Sequence, residues 1–242
     1  MTDFRLISLR NVAYKIASKT IANRLKQVLP QLVCENQSAF VAERLITNNV
    51  LVAFETMFHI SQKRKGLVGE MALKLDMSKA YDKVEWTCLK RIMQKMGFAE
   101  KWVTLVMQCL STVTYAIKIN GVPKGQIIPS RGLRQGDPLS PYLFLLCAEG
   151  PSAMLHQAVQ EKRLRGVSVC RRSPKISHLF FADDSLIFGR ATEAEGLEIL
   201  RILKVYESSS GQQLIIRKLH YTSAETRRGK CRIRLKPCSE PK

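Results

Sequence analysis

The stretch Phe180-Phe181-Ala182-Asp183-Asp184-Ser185-Leu186-Ile187-Phe188 sets two adjacent carboxylates inside an apolar run. The blocks Leu179–Ala182 and Leu186–Phe188 predict strands, with Asp183 and Asp184 at the tight turn between them. Carboxylates held on short, stiff supports concentrate negative charge at one point, which suits a hard divalent cation. Acidic residues are also ordinary turn formers, so the pair alone fits a plain hairpin better than a metal site. The rest of the chain has to decide.

Residues 11–29 carry apolar side chains at helical spacing (Val12, Ile16, Ile21, Leu25, Val28), and this helix is expected to stop at Pro30. A second helix is predicted over about 45–63 and a buried strand over Met71–Asp76. A helix is predicted from Ser78 to Met96, closed by Gly97, and another over about 100–111. Asn120-Gly121 marks a hairpin turn. Arg131–Asp137 is a Gly-bearing loop before a long helix, with Asp137 as its cap and Pro138 in its first turn. Pro151 falls inside that helix, where it predicts a kink or a cost of ~3 kcal/mol. Thr192 and Glu195 form a capping box opening a helix to Tyr206, and a last strand covers about 213–218. The β-α-β-β-α-β order over 71–218 predicts an antiparallel-rich sheet backed by helices.

With 242 residues, 45% hydrophobic and 24% charged, the chain reads as globular, with a core large enough for two closely packed subdomains. Its longest apolar stretches are too short to span a bilayer and no secretory pattern opens it, so a nuclear or cytoplasmic, membrane-free location is expected. The net charge of +19 points to a polyanion partner, nucleic acid before membrane because no strongly amphipathic basic helix stands out. Five of those charges lie in residues 219–242, so the body is itself basic. Seven cysteines without close pairing suggest reduced thiols, with Cys34, Cys88, Cys109 and Cys147 as core filler. The histidines are scattered, and none is assigned to chemistry.

Asp76 ends its predicted strand, a place where packing alone explains a carboxylate poorly. It also fits an N-cap for the helix expected from Ser78. If it faces Asp183 and Asp184 across the sheet, the three form a cluster of like charge that cations would stabilise. Two metal ions there could activate a hydroxyl and stabilise a leaving pyrophosphate.

Leu73–Trp86, Arg131–Ala148 and Ile176–Phe188 resemble, in order and spacing, the consecutive polymerase motifs of reverse transcriptases. Within that family the resemblance is to non-LTR, LINE-type retrotransposon enzymes of plants. It is carried further by Asp3-Phe4-Arg5, Ala22-Asn23-Arg24-Leu25, Glu35-Asn36-Gln37-Ser38-Ala39-Phe40-Val41 and Ser130–Pro141, and covers about residues 3–214. It implies an α+β right-hand polymerase fold of fingers plus palm, the palm a ferredoxin-like (RRM-like) antiparallel sheet with helices on one face and the thumb missing. Fingers would span 1–70 and palm 71–218, with a fingers-like insertion at about 112–130, followed by a divergent basic tail, 219–242. Asp76, Asp183 and Asp184 would hold two magnesium ions, or manganese in their place, with Asp76 and Asp183 the principal ligands and Met77 offering its carbonyl. Tyr81 would crowd a ribose 2′-hydroxyl, although it also fits a core aromatic of the following helix. Gln135 and Gly136 would pack beside the incoming dNTP and template, Arg5 and Lys15 would meet the triphosphate, and Lys218 would protonate the leaving pyrophosphate. The partners implied are an RNA template, a DNA primer and dNTPs.

The sequence departs from the family pattern at Leu6, Ala42-Glu43, Asn48 and Pro151, and after Gly211-Gln212, where Ile215, Lys218 and Leu219 replace the family residues. A fragment or decayed copy of an element's enzyme is therefore expected, without the endonuclease and thumb regions of whole relatives. A non-catalytic nucleic-acid-binding remnant of the same fold is the alternative, and a maturase-like splicing factor fits less well.

Overall fold

The chain is described by a computed structural model over residues 11–63 and 68–221, with side chains to Ile216 in the last strand. Its elements, in order, are α1 (Val12–Leu32), α2 (Ile46–Gln62), β1 (Glu70–Ser78), α3 (Trp86–Lys95), α4 (Glu100–Ser111), β2 (Tyr115–Ile119), β3 (Val122–Ile127), α5 (Ser140–Gln160), β4 (His178–Phe181), β5 (Asp184–Arg190), α6 (Glu193–Ser210) and β6 (Gln213–Tyr221). The main sheet has the order β4-β5-β1-β6 and is antiparallel throughout. Taken with its two crossovers, this is the β-α-β-β-α-β arrangement expected from the sequence. Strands β2 and β3 form a separate hairpin, almost entirely solvent-exposed, turning at Asn120 (φ 48°) and Gly121 (φ 86°).

Strand alternation sorts the sheet into two unlike faces. Met71, Leu73, Leu75 and Met77 of β1, with Ile187 of β5 and Phe180 of β4, point into one core with Leu89, Met93, Leu143, Phe144, Ile199, Ile202 and Tyr206 of α3, α5 and α6. The intervening residues occupy the other face. There, α2 covers one end, where Ala53 and Ile60 pack with Ala72, Leu179 and Phe188. Towards the far end of the same face the residues turn polar and more exposed: Lys74 and Asp76 on β1, Asp184 on β5. The carboxylates therefore stand at the end of this face that α2 leaves uncovered.

Several local expectations shift. Helix α1 passes Pro30 by two residues. The missing N–H falls in the last turn, and Arg44 donates to the exposed carbonyls of Pro30 (3.2 Å), Val33 (2.8 Å), Cys34 (2.5 Å) and Gln37 (2.8 Å). Residues 79–83 are turns and 84–85 irregular, rather than helix, with Lys79 at φ 51°. Their carbonyls serve a distant loop: the N–H groups of Gly132 and Leu133 donate to Val84 (2.8 Å) and Tyr81 (2.7 Å). Helix α5 begins later than expected, with Pro141 in its first turn, while Asp137 Oδ1 accepts from Leu139 N–H (3.0 Å). Pro151 stays buried inside this single helix. Thr192 accepts from Glu195 N–H as predicted (3.3 Å), but Glu195 does not complete the box. Its Oε2 instead accepts from the N–H groups of Arg190 (2.9 Å) and Arg165 (3.4 Å). Of the cysteines expected to fill the core, only Cys147 is fully buried; Cys34, Cys88 and Cys109 are half-buried.

Glu149 of α5 is 9% exposed, and its Oε1 has no hydrogen-bond partner. Burial raises its pKa to about 7, against the opposing pull of a backbone hydrogen bond at Cys34 and the Arg44 charge. Between the ordinary value of 4.5 and about 7 the unfolded chain has lost this proton and the folded chain keeps it. Stability therefore falls as pH rises through that window. Glu149→Gln is expected to remove the fall, gaining up to about 3 kcal/mol on the unsubstituted chain by pH 8, as read from urea midpoints at pH 5 and pH 8.

Candidate functional site

The register of β1 against β5 brings the first two acidic positions together. Asp76 pairs directly with Asp184, and side chains at such a position share a face with Cβ atoms about 4.5–5.5 Å apart. Like charges so placed repel. Lys74, two residues back on the same face, offsets this with its Nζ 3.1 Å from Asp184 Oδ1. The pair is about half exposed on both sides, so it contributes under about 1 kcal/mol and competes weakly with an arriving cation. The protein thus supplies one ammonium of its own to the acidic positions.

The turn sits one residue earlier than expected. Phe181 pairs with Asp184, so the two-residue loop is Ala182-Asp183, and Asp184 opens β5. Ala182 has φ 56°, as at the first loop position of a type II′ hairpin, where glycine is usual. Holding a non-glycine residue there costs on the order of 1–3 kcal/mol. Asp183 lies close enough to Tyr81 to raise the phenol's pKa, second to burial in effect, to about 12. At neutral pH the Tyr81 hydroxyl thus stays protonated. Its ring stacks on Phe144 of α5, with centroids 5.1 Å apart and planes inclined by 15°.

The Arg131–Asp137 loop is docked beside Tyr81 through the backbone bonds already described. Trp86 Nε1 adds a bond to the Gly132 carbonyl (2.8 Å), and Gln135 Nε2 one to Asp82 Oδ1 (3.3 Å). Gly132 (φ 90°) has no room for a side chain, since a Cβ would meet the Asp82 carbonyl at 2.8 Å. Gly136 differs: it needs its positive φ of 85°, but the space beside it is open. An approaching ligand could come against this backbone.

Three further residues organise the site, and the sequence pattern marked none of them for it. Gln212, buried, donates from Nε2 to the Ala80 carbonyl (2.9 Å) and accepts at Oε1 from the Tyr206 hydroxyl. It ties the Tyr81 turn to α6. Arg134, 8% exposed, stacks over the Tyr14 ring at 4.1 Å, donates to the Cys109 carbonyl (2.8 Å) and lies 3.9 Å from Asp137. It joins the Gln135-Gly136 loop to α1 and α4. Gln37, fully buried, accepts at Oε1 from the N–H of Ala182 (3.3 Å). Gln37 and Arg134 lie inside the motif segments quoted above, but their roles show only in their burial and partners, which are tertiary facts.

The remaining expected residues are less closely gathered. Met77 is buried beside Asp76, pairing with Leu214. Lys15 is exposed in the first turn of α1, with no described contact to the aspartates. Lys218 pairs with Lys74 across β1 and β6, past a bulge, whereas Asp76 pairs with Ile215. Arg5 lies outside the described residues. Among the described residues no three His, Cys, Asp or Glu side chains already converge as a closed metal-binding group. The donor chemistry nonetheless fits a hard divalent cation: hard carboxylate oxygens at the open end of a sheet, two of them in register and the third at the adjoining turn.

Against known proteins, the profile of the family "Reverse transcriptase (RNA-dependent DNA polymerase)" matches residues 1–230. The chain belongs to the reverse transcriptase family. A Xenopus laevis transposon TX1 protein of 149 kDa is 31% identical over 185 residues, 76% of this chain and 14% of that protein. A Nasonia vitripennis Pol polyprotein from a type-1 retrotransposable element R2 is 26% identical over 217 residues, 90% of this chain and 20% of its own length. An uncharacterised mitochondrial protein of Arabidopsis thaliana is 58% identical over 67 residues, 28% of this chain and 55% of that protein. The chain thus spans between 14% and 55% of these relatives. Both retroelement relatives agree with the non-LTR retrotransposon lineage read from the motifs.

The fold has solved counterparts. Candida tropicalis telomerase, in complex with a fragment of telomeric RNA, superposes with a TM-score of 0.57 at 12% identity, over 87% of this chain and 34% of that one. Its apo form, truncated from the C-terminal domain, gives 0.53 over 90% of this chain and 45% of that one. These confirm the α+β polymerase fold of the reverse transcriptase.

Gly132→Ala is expected to destabilise this reverse transcriptase domain by about 1–3 kcal/mol, through positive φ and a backbone clash together. Gly136→Ala meets only the first cost, and its loss should be the smaller of the two. Urea midpoints of both variants check the order; equal losses would mean the Asp82 contact is not what holds the loop.

Proposed function

We propose that this chain is the fingers-and-palm core of an RNA-directed DNA polymerase of a non-LTR retrotransposon, working in the nucleus or cytoplasm. It would extend a DNA primer on an RNA template with dNTPs. The observation that carries this reading is the register Asp76–Asp184, with Asp183 at the adjoining turn beside Tyr81. Asp76, Asp183, Asp184 and the Met77 carbonyl would hold two divalent cations, magnesium or manganese. Once bound, these would lower the pKa of the primer 3′-hydroxyl and balance charge on the departing pyrophosphate.

The protein's own groups would then do the positioning. Tyr81, its ring fixed on Phe144 and its hydroxyl neutral, would present a rigid wall to the sugar without adding negative charge near the triphosphate. A 2′-hydroxyl would press on that wall and a 2′-hydrogen would not. The Gln135-Gly136 loop, pinned through Gln135 to Asp82 and through Arg134 to α1, would leave room for the nucleotide where Gly136 carries no side chain. Arg5 and Lys15 would meet the triphosphate, and Lys218 would return a proton to pyrophosphate. The strongly basic body would hold template and primer by their phosphates.

Primer extension on an RNA template, with magnesium or manganese, tests the reading. The unsubstituted chain should extend the primer, and Asp76→Asn and Asp183→Asn should each reduce extension to background while leaving the fold intact. A folded chain that binds primer–template but never extends it would favour the non-catalytic remnant instead. For the gate, Tyr81→Ala should raise ribonucleotide incorporation relative to deoxyribonucleotide by roughly tenfold. Unchanged sugar selection would remove Tyr81 from that role.

A further inference from the structure

The segment between α1 and α2 is built into the site rather than merely joining two helices. Gln37 forms an isolated parallel bridge with Phe180 at the outer edge of β4. The N–H of Phe180 donates to the Asn36 carbonyl (2.8 Å), and that of Ser38 donates to the Phe180 carbonyl (3.4 Å). Asn49 fastens the same segment from α2, donating from Nδ2 to the Asn36 carbonyl (2.9 Å). Arg44 holds the Gln37 carbonyl from the other side.

Within this brace the Gln37 side chain serves two backbone amides, one in its own segment and one at the hairpin turn. Its Oε1 accepts from Ala39 N–H (3.0 Å) and reaches across to Ala182 N–H (3.3 Å). Ala182 is the left-handed residue of the hairpin turn, immediately before Asp183. Gln37 Nε2, by contrast, is buried with no partner. Volume alone does not call for glutamine here, because methionine would fill a similar space without a stranded donor. What the amide supplies, and methionine would not, is the acceptor at the strained turn.

We propose that Gln37 is a positioning residue: it holds Ala182 in its left-handed conformation, and so sets where the Asp183 carboxylate stands relative to Asp76. The inference rests on the polymerase reading for its effect on turnover. Its effects on the turn and on cation binding can be read without turnover. A neighbour that orients a metal-binding carboxylate typically changes metal affinity or activity by about 10–100-fold when removed.

Gln37→Met removes the acceptor at similar volume, whereas Gln37→Glu keeps an oxygen where Oε1 stands. In the full chain, Gln37→Met should melt within a few degrees of the unsubstituted protein, yet lose hydrogen-exchange protection at the Ala182 amide. It should also weaken Mn2+ binding, followed by electron paramagnetic resonance, by about tenfold, and lower kcat by about tenfold with KM for dNTP little changed. Gln37→Glu should recover all three readouts. Unchanged Ala182 protection or unchanged Mn2+ affinity in Gln37→Met would overturn the proposal, as would equal loss in Gln37→Glu. Should Gln37→Met fail to fold, Gln37→Asn withdraws the oxygen by one methylene and is judged on the same readouts. If the unsubstituted chain binds Mn2+ but extends no primer, the polymerase reading fails while the exchange and binding measurements still decide the role of Gln37.

Discussion

The antiparallel pairing of β1 with β5 is the constraint on which the rest of the molecule depends. In one register it places Leu73 and Leu75 among the helices and Asp76 opposite Asp184 on the open face. A slip by one residue would turn Asp76 towards Leu143 and Phe144 and expose a row of apolar side chains. The burial energy of the core therefore also holds the carboxylates in place. No separate force is needed to keep like charges adjacent, because the whole hydrophobic face opposes their separation. Lys74 only softens the local repulsion.

Around this pairing the protein uses buried polar side chains, two amides and a guanidinium, to join pieces that are remote in sequence. Gln212 links the turn before Tyr81 to α6, Gln37 links the α1–α2 connection to the hairpin turn, and Arg134 links the Gln135-Gly136 loop to α1 and α4. Each carries hydrogen bonds that are costly to leave unmade once water is excluded. Such groups hold loops with directional precision that apolar contacts do not provide. The site is thus a rigid sheet end carrying loops tied down at their inner sides.

Much of this was legible in advance where a single local signal dominated. Apolar periodicity marked α1, and Asn-Gly marked the β2–β3 turn. Glycine-rich and acidic motifs marked the site residues to be sought. Local signals failed where a distant partner claimed the backbone. Residues 79–85 carry helix-forming side chains, but the carbonyls of Tyr81 and Val84 are taken by the loop at Gly132 and Leu133. The loop at Ala182-Asp183 was misplaced by one residue because strand pairing, not composition, chose which residue turned. Pro30 did not end α1: it falls in the last turn, and Arg44, twelve residues beyond the helix, donates to the end carbonyls of Pro30 and Val33.

By itself the sequence determined the order of elements and the reverse transcriptase lineage, and it singled out the three carboxylates of the proposed site, since all of these reside in residue type and short-range spacing. The tertiary structure alone decided which carboxylate faces which, that Lys74 balances one of them, and that Gln37 bonds to Ala182 across 145 positions of chain. The physical reason is that registers and long-range hydrogen bonds are chosen by burial of the entire sheet face. No window of neighbouring residues contains that information.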